Sequence, residues 1–261
     1  MVTSQQLKSI MPRLSDTRSS DLLPLLTTAM TEFAIDTPAR AAAFLAQLAH
    51  ESGQFRFMEE IWGPTDAQRR YEPVTKLSQA LGNTEAGDGR RFKGRGPIQL
   101  TGRANYHRFG TLLAVDLLAA PERASTPEVG FRIAGLFWSK KGLNQLADLA
   151  TAEAFKEITR RINGGTNGLA DRQSFYATAR TSLGVATPPL PRGGSRAPMP
   201  AGDPGLDRGW EAIRAYRGRR ADAKAKRSTP KRQKATSIRS RTRSTARKTK
   251  SARKQTARPK R

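Results

Sequence analysis

The sequence predicts a mainly α-helical domain followed by a long basic tail. Three observations carry this. Apolar residues recur at three- and four-residue intervals through most of residues 5–183. Helix-start signals, Ser or Thr before an acid or a proline, precede several of these stretches. Beyond residue 184 the periodicity stops, and Pro, Gly, Lys and Arg dominate.

In chain order, residues 5–14 predict a short amphipathic helix ended near Ser15-Asp16. Ser20-Asp21 can cap a second helix through Phe33, with Leu22, Leu23, Leu26, Met30 and Phe33 at helical spacing. Thr37-Pro38 supplies a cap and a first-turn proline for a third. That helix runs to Ser52 with Gly53 as its stop and Ala41, Phe44, Leu45 and Leu48 among its apolar positions. Residues 63–97 hold Gly63-Pro64, Pro73, Gly82-Asn83, Gly94 and Gly96-Pro97, which predicts loop, with room for a short strand or hairpin. A connection this long in a compact domain is usually functional or disordered. Helices resume over 105–118, 126–141, 151–162 and 171–183, with a turn at Asn163-Gly164-Gly165.

The predicted organisation is a folded helical domain over 1–184, a Pro/Gly-rich linker over 185–205 and a basic tail over 206–261, mostly disordered. Trp210, Ile213 and Tyr216, three apart, suit a short amphipathic helix. From residue 221 the chain has no aromatic residue and one Ile, too little apolar surface to fold alone.

Charge follows the same division. The chain has 47 Lys+Arg against 22 Asp+Glu, a net +25. Roughly +20 of this lies in residues 191–261. The tail therefore predicts a polyanionic partner, an anionic envelope polymer or lipid or else nucleic acid, which charge alone does not distinguish. A solvated tail with no selected partner stays open. The absence of Cys excludes disulfides, thiolate metal sites and a cysteine nucleophile, and two His argue against a multi-histidine metal centre. No metal or other cofactor is predicted. The first residues lack a positive cluster followed by an apolar core, and no apolar run is long enough to span a bilayer. The expectation is a monomer without a signal peptide, cytoplasmic until another agent releases it.

Two carboxylates draw notice by position. Glu51 ends the Thr37 helix on the face of Phe44 and Leu48. Partial desolvation there favours the protonated form, as a general acid requires. Glu60 follows nine residues later at the entrance to the Gly-rich stretch, where an ionised carboxylate can activate water. An inverting glycosidase uses two carboxyl groups about 6.5–9.5 Å apart, leaving space for that water. Spacing alone is a weak signal, since surface helices carry acids at random.

A resemblance strengthens it. Ala49-His50-Glu51-Ser52-Gly53, Tyr71, the run Gly94-Arg95-Gly96-Pro97-Ile98-Gln99-Leu100-Thr101-Gly102-Arg103-Ala104-Asn105-Tyr106, then Ile162-Asn163-Gly164-Gly165 and Asp171-Arg172-Gln173-Ser174-Phe175-Tyr176 occur in an order similar to family 19 glycoside hydrolases. Their compact bacterial and phage endolysin-like branch is the nearest pattern, over residues 5–184. The resemblance implies a lysozyme-like, two-lobed helical fold with a substrate cleft. It also implies inverting hydrolysis of β-1,4 bonds in N-acetylglucosamine-containing glycans, peptidoglycan favoured and chitin the other candidate.

Carried over by motif, the acid falls on Glu51 and the base on Glu60, with the adjacent Glu59 as the competing alignment. Thr101 stands where the family holds the attacking water with a Ser. Gln99, Asn105 and Asn163 match sugar-binding residues, and Arg172 matches an Arg near the acid. Amide side chains offer donor and acceptor together, as hydroxyls and N-acetyl groups demand. The glycines of Gly94-Arg95-Gly96-Pro97 can let backbone approach a substrate. Trp62 and Tyr71 are either sugar-stacking rings or core. Gln99 and Asn105 can equally be turn or capping groups, Gly164-Gly165 a plain helix stop, and Arg172 a surface ion pair. His50 is expected to be a structural hydrogen-bonder, His107 exposed and Trp138 core. The competing class is a non-catalytic glycan- or nucleic-acid-binding protein on a hydrolase scaffold.

Overall fold

Hydroxyl caps set most of the helix starts. The side chains of Thr3, Ser15, Thr37, Thr65, Thr75, Thr126 and Thr151 each accept a backbone N–H from the first turn that follows. In the computed structural model, which describes residues 2–186, the helices follow in the order α1 (Ser4–Ile10), α2 (Asp16–Glu32), α3 (Pro38–Ser52), α4 (Asp66–Arg69), α5 (Lys76–Leu81), α6 (Asp88–Arg91), α7 (Arg103–Leu113), a 3-10 turn (Pro121–Ser125), α8 (Pro127–Lys140), α9 (Leu143–Asp148), α10 (Ala152–Asn163) and α11 (Leu169–Ser182), and the hydroxyl caps open α1 to α5, α8 and α10. The linker from residue 187, the 206–220 segment and the basic tail lie outside the described residues.

The helical class predicted from sequence is observed, and α3, α8, α10 and α11 lie close to their predicted bounds. Three readings need correction. Ser15 does not end the first helix but caps the second: its hydroxyl accepts from Arg18 N at 3.3 Å, and α1 stops at Ile10. The 63–97 stretch is neither plain loop nor hairpin. It contains α4, α5 and α6, and its only pairing is a pair of isolated bridges, Glu59 with Arg95 and Arg95 with Leu100. Helix α9 was not foreseen, since six residues are too few to show a period.

Helix α3 is the centre of the domain. All nine residues from Ala41 to Ala49 are buried, so it is enclosed on every side rather than amphipathic. Helix α11 lies along it, α2 packs on α8, and α1 touches α2 and α11. Phe44 meets Trp138 edge-on at 5.2 Å between centroids, as expected of core residues. A separate small core joins Tyr71 and Leu81 with the half-buried Trp62 and Leu77. The domain thus has a large helical lobe and a small one built from residues 62–81.

The end of α3 is built from strained backbone. Gly53, Gln54 and Phe55 all adopt left-handed conformations, with φ of 58°, 63° and 61°. Such conformations cost a non-glycine residue on the order of 1 kcal/mol or more and persist only when neighbours impose them. Here Ser52 Oγ donates to Leu48 O at 2.6 Å and accepts Phe55 N at 2.7 Å, while the Phe55 ring is buried edge-on to Phe131. This turn carries the chain from Glu51 toward Glu60.

Candidate active site

Glu51 occupies the penultimate position of α3, where its side chain meets α11. Its Oε1 accepts from Arg172 Nη2 at 2.8 Å, with side-chain exposures of 14% for Glu51 and 2% for Arg172. A nearly buried cation thus meets a partly buried carboxylate. Arg172 donates also to Gln47 Oε1 at 2.5 Å and to Asn167 O at 3.3 Å. It is therefore neither a surface ion pair nor a residue that a sugar can touch; it holds Glu51. Next to this pair, His50 Nδ1 lies 2.5 Å from Asp171 Oδ2, tying α3 to α11 a second time in the structural role expected of it. The His50 ring lies so close over Gly168 that a Cβ there would sit 2.4 Å from Cε1.

Glu60 lies in an extended segment clipped to the Gly94 loop. Its backbone N donates to Gly94 O at 2.8 Å, and Gly96 N donates to Met58 O at 2.8 Å. Its carboxylate receives Gly94 N at 3.0 Å on Oε2, and Gln68 Nε2 at 3.3 Å and the Tyr71 hydroxyl at 3.4 Å on Oε1. The neighbouring Glu59 is different. Partial burial pushes its carboxyl up, but Lys93 Nζ at 3.2 Å and Arg95 Nε at 2.9 Å outweigh this and hold it below the usual carboxylate range. A carboxylate committed to two cations is a poor proton acceptor, which favours Glu60 over Glu59 as the base.

The remaining sequence candidates fall into two groups. Around Glu60, Tyr71 is 2% exposed, so its ring has no free face for a sugar and its contribution is the hydroxyl on Glu60. Trp62 leans on Tyr71 at 6.1 Å between centroids, half-buried, with part of its ring open. Near the Gly94 loop, Gln99 is half-buried with φ 59°, and its Nε2 donates to Gly96 O at 3.1 Å and Phe57 O at 3.5 Å. Thr101 is buried and donates its hydroxyl to Gln99 O at 2.8 Å. Asn105 is buried and donates to Thr101 O at 2.8 Å, the turn-type role that was the alternative reading. Asn163 ends α10 and donates to Asn167 O at 3.3 Å, with Gly164 as the left-handed cap. Gly96 does not face a substrate: a Cβ there would lie 2.9 Å from Ala124 O, so its smallness serves backbone packing.

Two residues of the site were missed in the sequence. Gln68 reads as the third residue of a capping box with Thr65, which it is, while its amide also reaches Glu60 and Ile61 O. Gln47 lies one turn before Glu51 and is the only polar side chain in the buried run of α3 from Ala41 to Ala49. A polar residue amid that apolar run was the available signal.

Comparison with known proteins fits this geometry. The family model described as Chitinase class I (Glyco_hydro_19) matches residues 26–151, which include both carboxylates. A glycosyl hydrolase family 19 domain-containing protein of Haemophilus influenzae is 35% identical over 159 residues, covering 52% of this chain and 76% of that protein. The chain belongs to glycoside hydrolase family 19. This family 19 hydrolase is also 40% identical over 152 residues to an endochitinase of Arabidopsis thaliana, covering 55% of this chain but 48% of the plant protein. It spans about half the length of such plant relatives. Among solved structures it is similar to chitinase C of Streptomyces griseus, with 26% identity and a TM-score of 0.56 over 72% of this chain and 79% of that one. Arg172 and Asn163 lie beyond the stretch matched by the family model, on the helices that close the large lobe.

Proposed function

We propose that this enzyme hydrolyses β-1,4 bonds in N-acetylglucosamine-containing cell-wall polysaccharide with inversion. The observation that carries the reading is the pair of differently held carboxylates: Glu51 fixed by the buried Arg172, and Glu60 fixed by Gly94, Gln68 and Tyr71. Glu51 protonates the glycosidic oxygen as the bond to the anomeric carbon breaks. Glu60 takes a proton from a water that attacks that carbon from the opposite face, so the products gain one water in total. Thr101, buried with its hydroxyl proton on Gln99 O, braces the Gln99 turn rather than meeting the attacking water. Gln99, Asn163 and the open part of Trp62 bind sugar, and Asn105 braces the loop that carries Thr101.

Chitin and the peptidoglycan glycan strand share the N-acetylglucosamine unit. The endochitinase names of the plant relatives favour chitin, whereas the endolysin-like motif pattern favours peptidoglycan. Digestion of each polymer, with mass spectrometry of the released ends and Glu51→Gln as control, decides between them. Release from neither polymer by the wild-type chain would overturn the proposal. The basic tail, on this reading, holds the enzyme at anionic envelope material. Its removal should leave cleavage of neutral oligosaccharides intact and abolish salt-sensitive binding to envelope polymers or anionic vesicles; equal binding to DNA would favour the nucleic-acid alternative.

A further inference from the structure

We infer that Gln47 and Thr159 form a positioning relay that sets Arg172 against the acid Glu51. The inference rests on the reading of Glu51 as the general acid. Helix α3 buries one polar side chain, Gln47, among the apolar residues 41–49, and it is 1% exposed. Burying an amide in such surroundings is unfavourable unless each end finds a partner. Both ends do. Oε1 accepts from Arg172 Nη1 at 2.5 Å, and Nε2 donates to Thr159 Oγ1 at 2.8 Å. Thr159 is fully buried and comes from α10, so the relay Thr159–Gln47–Arg172–Glu51 joins α10, α3 and α11.

The chemistry fixes the direction of each link. A guanidinium has donors alone, so the amide must turn its oxygen to Arg172. That leaves its NH2 facing α10, where an acceptor is required. Thr159 provides it and thereby locks the amide in the orientation Arg172 needs. Arg172 in turn places one N–H on Gln47 and another on Glu51 Oε1 at 2.8 Å. With Nε on Asn167 O, the guanidinium is thus held at three points, and Gln47 is the side chain that fixes Nη1 while Nη2 meets Glu51. Gln47 and Glu51 are four residues apart on one face of α3, so both reach the same side chain of α11. A simple packing role for the amide would not need a hydroxyl at its far end.

The full-length chain tests this on a soluble N-acetylglucosamine oligomer. Thr159→Val keeps the side-chain shape and removes the acceptor. It should lower kcat about tenfold and leave KM within about twofold, because the acid is misplaced while the sugar subsites are untouched. Thr159→Ser keeps the hydroxyl and should restore kcat. Gln47→Leu should lower kcat further, by about a hundredfold, and Thr159→Val carries the test if that variant does not fold. Wild-type kcat in Thr159→Val, or a loss that Thr159→Ser does not recover, or a loss confined to KM, would overturn the relay while Glu51→Gln remains inactive. Full turnover in Glu51→Gln would instead overturn the assignment of the acid, and the relay with it.

Discussion

Glu51 and Glu60 are nine residues apart in the chain and are held in different ways. The Glu51 region is regular: a helix, a buried guanidinium and a network across three helices of the large lobe. The Glu60 region is irregular: an extended segment clipped to a loop, with three neutral groups donating to the carboxylate from the small lobe and the Gly94 loop. A cation fixes a carboxylate strongly but commits the interior to an ion pair, and removing either partner leaves the other stranded. Neutral donors fix orientation at a smaller stake per bond. One fold can therefore give two identical side chains different tasks by surrounding them differently.

The largest effect should come from the carboxylates themselves. Glu51→Gln and Glu60→Gln should each lower turnover by about a thousandfold or more while the far-ultraviolet circular dichroism stays that of the wild type. Their melting temperatures should differ, with Glu51→Gln the lower of the two, because it deprives a buried arginine of its counter-charge. Equal melting temperatures would remove the contrast between the two regions.

Arg172→Met should come next. Loss of one partner of a buried ion pair costs about 3–5 kcal/mol, readable in urea denaturation, and activity should fall with it. Arg172→Lys should recover part of the stability but not the three-point hold on Gln47, Glu51 and Asn167, since an ammonium lacks the planar fork.

The start of α6 should show its own pH dependence. Asp88 is 2% exposed, and burial pushes its carboxyl up, but Arg103 and the N–H groups of Glu85 and Thr84 outweigh this and hold it below the usual range. A lowered native value means stability that is present above the ordinary aspartate value of about 3.9 and lost as pH falls through the native value. Asp88→Asn should therefore destabilise the protein by about 1–3 kcal/mol at neutral pH, with the deficit shrinking below about pH 4. A deficit independent of pH would contradict the assignment. Tyr71→Phe should have the smallest effect. It removes a long hydrogen bond from Glu60, so kcat should fall by only a few-fold, in keeping with a net worth of about 0.5–1.5 kcal/mol.

The comparison also explains what could be read from sequence. Helix α3 was legible because Thr37-Pro38 and Gly53 punctuate it and its apolar residues run between them. The 63–97 stretch was obscure because its helices are four to six residues long, too short to display a period. Glu51 and Glu60 were singled out through motif order, not physical pattern. Sequence left Tyr71 open between sugar stacking and core, because burial decides whether a side chain meets a sugar or another side chain, and burial depends on tertiary packing. Gln47 went unnoticed for a related reason. Its neighbours Thr159 and Arg172 lie 112 and 125 residues away in the chain.

The most direct test of the two-carboxylate account is the anomeric configuration of the first product. Proton NMR during cleavage of a β-1,4-linked N-acetylglucosamine oligomer should show the α-anomer first, with no product from Glu51→Gln or Glu60→Gln. Initial appearance of the β-anomer would contradict the account, since it would mean that no water attacks between Glu60 and the sugar in the bond-breaking step.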